Sequence, residues 1–161
     1  MKASLALLAA FAATPLAAQQ NVAIETTVST DAAIQIATAA LAACRADGQK
    51  VTVSVVDHAG REKLRVRDDG ASPHSEVHAF RKAYTALTYK MTSSEYGKRA
   101  AEQKIMGPQL LPNISGAAGG VPIHAGERVI GAVGISGTPG SAGGGEHDAK
   151  CATAGIAKVK F

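Results

Sequence analysis

Two histidines four residues apart, His74 and His78, are followed at helical spacing by Lys82 and then Thr85. Wound at about 100° per residue, these side chains fall within a sector of about 80°. Imidazoles at that spacing can share a metal ion, or one of them can ligate a haem iron. Lys82 can pair with a propionate or another carboxylate. The same row also reads as a solvated polar face, because the His-x-x-x-His pair lacks the glutamate that marks a metalloprotease helix. Just upstream, Asp69 beside Gly70 is a ligand contact or a turn former. Downstream, Gly119 and Gly120 either lay bare backbone N–H groups against a ligand or make a tight turn into a strand.

These residues need a frame. Val77, Phe80, Tyr84, Leu87 and Met91 recur at helical period and predict a long helix whose apolar stripe packs, with the polar row on another side. Ser72 caps that helix and Pro73 takes its first position. Thr92 to Glu95 fits a capping box and starts the next helix, which ends near Gly107. Thr30 to Asp47 predicts an earlier helix, capped by Thr30, with Ile34, Ala37, Leu41 and Cys44 facing the core. Val51–Val56 and Arg61–Arg67 alternate as strands of a hairpin, and Val121–His124 and Arg128–Ser136 make a second. Gly131 and Gly134 inside a strand point to close approach by another backbone or a ligand. A glycine-rich loop, 138–145, leads to a last helix, Glu146 to Val159.

Hairpins separated by helices imply an antiparallel sheet with helices packed on it, an α/β (α+β) class, rather than a βαβ chain. The dinucleotide fingerprint, the P-loop and the G-x-S-x-G nucleophile elbow are missing from the sequence.

The first stretch, MKASLALLAAFAATPLAAQQ, has the layout of a secretory signal: Lys2, an apolar run from Leu5 to Ala13, Pro15, then Ala17 and Ala18. The expectation is a signal peptide over 1–18 and one domain over 19–161, periplasmic or secreted. The net charge of +4 falls by one unit without Lys2, and aromatics are only 4% of the 161 residues. Weak, scattered charge with little to stack on bases excludes nucleic acid as a partner. Cys44 and Cys151 fit no zinc spacing and no haem-attachment motif. Export would permit them to pair, closing a long loop that contributes roughly 4–5 kcal/mol. The other reading is two small buried residues, one on the core face of each helix.

Several runs, in order, resemble the GlcG/HbpS family of haem-degrading domains, which includes PduO C-terminal-like proteins. They are VTVSVVDHAG (Val51 to Gly60), RDDGA (Arg67 to Ala71), RKAYTA (Arg81 to Ala86), GGVPI (Gly119 to Ile123) and GAVGISG (Gly131 to Gly137), then the final helix with Asp148, Ala154 and Gly155. The resemblance spans nearly all of the chain after the leader. It implies a profilin-like α/β/α sandwich, with an antiparallel sheet of about five strands and helices on both faces. It implies homo-oligomers, from dimer to octamer, and haem binding in some members through a threonine, for which Thr85 in RKAYTA is the counterpart. His78, His74 and Thr85 are therefore the candidate iron ligands, and His74, His78, Lys82, Thr85, Asp69, Gly119 and Gly120 the candidate binding set. The leading expectation is an exported haem (tetrapyrrole)-binding protein that senses, scavenges or degrades haem. The alternatives are an oligomeric sensing or scaffold module presented to a membrane sensor partner, and a small-molecule enzyme using groups such as Asp57, Asp69 and the histidines.

Overall fold

The structure, a computed structural model, describes residues 23–140 and 144–161. The expected leader, 1–18, and part of the glycine-rich loop lie outside the described residues. The elements run α1 (Thr30–Ala46), β1 (Thr52–Asp57), β2 (Glu62–Arg67), α2 (Ser75–Tyr89), α3 (Ser93–Glu102), a 3-10 turn (Pro108–Leu110), β3 (Gly120–Ala125), β4 (Arg128–Ser136) and α4 (Gly144–Ile156).

The strands form one antiparallel sheet in the order β2-β1-β4-β3. Each hairpin closes locally, and the two join by pairing β1 with β4, from Thr52 opposite Ser136 to Asp57 opposite Gly131. The sheet has four strands among the described residues, one fewer than the resemblance implied.

Helices cover both faces. α1 and α4 pack on one face over Val53, Val55, Val133 and Ile135. α2 packs on the other, where Val56 and Ala132 meet Ala83 and Ala86. The central strands are thus buried on both sides, and the polar members of β1 find partners inside: Thr52 Oγ1 lies 2.7 Å from Ser75 Oγ, and Ser54 donates to Glu62 at 2.6 Å. This is the three-layer α/β/α sandwich.

Two helices depart in part from the faces expected. On α1 Ala37, Leu41 and Cys44 are buried as expected, joined by Ala33, Ile36 and Ala40, while Ile34 is exposed. The buried sector is broader on its alanine side, where the helix approaches the sheet and α4. Its cap is Ser29, whose hydroxyl accepts from the Ala32 N–H at 3.1 Å, and not Thr30.

The difference on α2 is larger. Its buried face is Ser75, Ala79, Lys82, Ala83, Thr85 and Ala86. The large apolar residues flank that face: Val77 is 61% exposed, while half-buried Phe80 and Leu87 pack at the edge of the Val56–Ala132 cluster and Tyr84 lies beside Gly60. The reason lies in β4. A Cβ on Gly134 would sit 2.0 Å from the Ala79 carbonyl oxygen and 2.5 Å from the Ala83 nitrogen. The helix backbone rests directly on the strand, so only small side chains fit between them. His74 precedes the first turn with no side-chain cap, and neither Ser72 nor Pro73 opens the helix as expected. The capping box of α3, Thr92 with Glu95, is present in both directions, and α3 ends at Glu102 rather than near Gly107.

Candidate functional site

The row on α2 runs from surface to interior. His74 is exposed. His78, one turn on, is half-buried, with Ser115 Oγ 2.9 Å from Nε2 and Ser136 Oγ 3.3 Å from Nδ1. Burial pushes the His78 imidazole down to about 4, helped by the neighbouring positive charges of Lys82, His74 and Arg81. It is therefore neutral near pH 7 and keeps a lone pair for a proton or a metal.

Lys82 is 3% exposed and runs inward. Its Nζ donates to Asp148 Oδ2 and to the Ile135 carbonyl, each at 2.9 Å. Asp148 belongs to α4, on the opposite face of the sheet, and is itself 1% exposed. Its other oxygen accepts from the Thr138 N–H at 3.3 Å. One ion pair thus ties the two helical layers together at the end of β4. Burial lowers the Lys82 pKa, and the adjacent carboxylate works against that shift.

Gly119 and Gly120 make this crossing possible. A Cβ on Gly119 would lie 2.9 Å from Lys82 Nζ and 3.0 Å from Asp148 Cβ, and one on Gly120 would lie 2.1 Å from the Lys82 carbonyl oxygen. The Gly120 N–H donates to Ser93 Oγ at 2.9 Å. Both glycines therefore serve the fold's own close contacts.

Thr85 is fully buried and its hydroxyl is engaged twice: it donates to the Arg81 carbonyl at 2.8 Å and accepts from the Ser115 N–H at 2.8 Å. Ligation through Thr85 would require the Ile114–Ser115 segment to lift. Asp69 is exposed on its loop, while its neighbour Asp68 is buried and held by Arg45 at 2.8 and 3.1 Å. That guanidinium keeps the Asp68 carboxyl below its usual range. Asp68 is thus an anchor between α1 and the loop after β2.

The structure therefore leaves His74 on the surface and His78 half-buried one turn on, and sends Lys82 and Thr85 inside. Sequence reasoning missed the partners that decide this, Ser115, Ser136 and Asp148. It also gave no role to Arg81, which donates through Nη2 to the Ile114 carbonyl at 2.7 Å and leaves its buried Nε unpartnered. Arg81 sits one turn after Val77 and His78, on the spacing that picked out the histidines, so periodicity alone could have added it.

A separate open cleft of about 460 Å³ lies at the β1–β2 turn, between His58, Gly60, Tyr84, Leu87, Lys90 and Arg128. His58 pairs there through Nε2 with Glu25, and its Nδ1 is buried without a partner.

With this geometry in view, comparison with known proteins decides the family. The family model described as haem degrading protein HbpS-like matches residues 28–157. The chain belongs to the HbpS-like family. It is 34% identical to a double mutant of HbpS from Streptomyces reticuli, with a TM-score of 0.81 over 93% of this chain and 99% of that one. It is 29% identical to ORFY from Klebsiella pneumoniae, with a TM-score of 0.76 over 89% and 100%. A PduOC:haem complex is 26% identical, with a TM-score of 0.75 over 83% and 96%. No curated protein sequence matches the chain.

Within this HbpS-like fold, His74 and Val77 stand exposed at the start of α2 beside half-buried His78, while Lys82 and Thr85 are committed inside.

Proposed function

We propose that this protein is an exported haem-binding protein that works as a homo-oligomer. The observation that carries the reading is membership of the HbpS-like family, together with a PduOC:haem complex of the same fold at 26% identity. Export rests on the layout of the first eighteen residues. Self-association is supported by exposed apolar surface on α2, where Val77 is 61% exposed.

On this reading His74 and His78 would hold the iron. A bound haem supplies the redox-active iron, which is what sensing or degradation would use. The chain's own contribution is to keep His78 unprotonated, to orient it between two serine hydroxyls, and to hold the helix rigid through Lys82 and Thr85. Binding is the primary role.

Titration of the apo-protein with haemin tests this. A saturable Soret shift is expected, weakened in His74→Ala and His78→Ala and unchanged in Lys90→Ala. Absence of a shift refutes haem binding. A shift lost in Lys90→Ala or Arg128→Ala but retained in the histidine variants moves the ligand to the cleft at the β1–β2 turn.

A further inference from the structure

The second cluster of ligating side chains lies on the face of the sheet opposite α2, where α1 meets α4. Cys44 of α1 and Cys151 of α4 form a disulfide. They are 0% and 3% exposed. His147 precedes Cys151 by one helical turn, so both side chains leave the same side of α4. The two sulfurs and a ring nitrogen of His147 all lie within 4.8 Å of one another. The His147 Nε2 atom is buried and accepts or donates no hydrogen bond. An Asp47 carboxylate oxygen stands 3.3 Å away, close enough for attraction but without hydrogen-bond alignment. A structural disulfide has no use for an imidazole held beside it in this way.

We propose that reducing this disulfide turns the α1–α4 junction into a site for a borderline-soft divalent metal such as Zn²⁺, ligated by Cys44, Cys151 and His147. The fourth position is left to water. Thiolate and imidazole ligands match this metal class. A tetrahedral Zn²⁺ with bonds of about 2.3 Å to sulfur holds its two sulfurs about 3.8 Å apart. The sulfurs therefore separate only after the bond is cut, which makes disulfide and metal mutually exclusive.

The chemistry balances with an external dithiol or phosphine as reductant. Two electrons break the S–S bond; a dithiol supplies both thiol protons and becomes a cyclic disulfide, whereas with a phosphine a water molecule supplies both protons and the oxygen of the phosphine oxide. Metal capture then releases both thiol protons. Two thiolates and a neutral imidazole surround the dication, so the buried site carries no net charge. The wide separation of Cys44 and Cys151 in sequence hides this arrangement, because its ligands come from two helices.

Cobalt(II) is the probe. Protein reduced with a phosphine and freed of it without oxygen should bind one Co²⁺ per chain. The spectrum should show thiolate-to-metal charge transfer and the intense visible bands of tetrahedral cobalt, both abolished by added Zn²⁺. Oxidised protein should show neither. His147→Ala, which leaves both cysteines in place, should weaken binding about tenfold or more. The proposal is overturned if reduced, folded protein shows no charge-transfer band, or if His147→Ala binds as the parent does. It is equally overturned if circular dichroism shows that the reduced chain has lost its fold.

Discussion

Replacing Lys82 with methionine keeps most of the side chain's volume and removes its charge. Asp148 is then left 1% exposed with a single N–H donor, that of Thr138 at 3.3 Å, and the Ile135 carbonyl loses its partner. Breaking a buried ion pair from one side costs about 3–5 kcal/mol, because the remaining charge has neither water nor counter-ion. For a domain of this size that lowers the melting temperature by roughly 10–15 °C. Removing the carboxylate as well, in Lys82→Met with Asp148→Leu, takes away the stranded charge. What remains is the lost hydrogen bonding of Ile135 and Thr138, about 1–3 kcal/mol. The double variant should therefore be more stable than the single one by about 2 kcal/mol, a coupling that a urea-denaturation double-mutant cycle resolves. Single and double variants that simply add, or a Lys82→Met protein within about 0.5 kcal/mol of the parent, would show that the pair is not the clamp between layers.

The His78 imidazole titrates near 4 in the folded chain against 6.5 when unfolded. Between those values only the unfolded chain takes up the proton. The stability His78 contributes is thus complete above about pH 6.5 and lost as the pH falls to about 4. Its half-exposed position limits the loss to no more than about 2 kcal/mol. Urea midpoints measured across that range should slope less in His78→Gln; equal slopes would refute the assignment. Gly134→Ala places a methyl 2.0 Å from the Ala79 oxygen, with backbone on both sides. It should cost about 1–3 kcal/mol or abolish soluble protein. A melting temperature within about 2 °C of the parent would mean that α2 can ride higher on the sheet.

The hairpins and β4 were legible because alternation and turn residues are local signals. Arg128–Ser136 starts and stops where β-branched residues and the flanking glycines put it. The capping box at Thr92 was legible for the same reason. The packed face of α1 was legible except at Ile34, and the face of α2 that meets the sheet was not. Periodicity weighs residues by size and hydropathy, so Ile34 and Val77 outvoted the alanines around them. The alanines won because Gly134, remote in sequence, brings the α2 backbone against β4, and a large side chain cannot enter that gap. Lys82 is buried for a reason the sequence also conceals: its counter-charge arrives from α4, on the other side of the sheet. The disulfide was one of two open readings for Cys44 and Cys151, and only the crossing of α1 over α4 makes it a bond.

The fate of the α2 row turns on one short segment. Ile114 and Ser115 cover Thr85, receive Arg81 and hold His78, and Ala117 accepts a hydrogen bond from Ser93 at 2.6 Å. The helix supplies the row's spacing, but this segment decides which members face outward. With it seated, His74 is open, His78 is reached by displacing a serine hydroxyl, and Thr85 is closed. A ligand that needs only the histidines can therefore bind without moving the backbone. A ligand that needs Thr85 must first break the Ser115 N–H contact and the Arg81 contact to Ile114. One neutral hydrogen bond at about 1 kcal/mol and one from a charged donor at about 1.5–3 kcal/mol set a conformational cost on the second mode that the first avoids. For that reason the histidines, not the threonine, are the groups this fold presents.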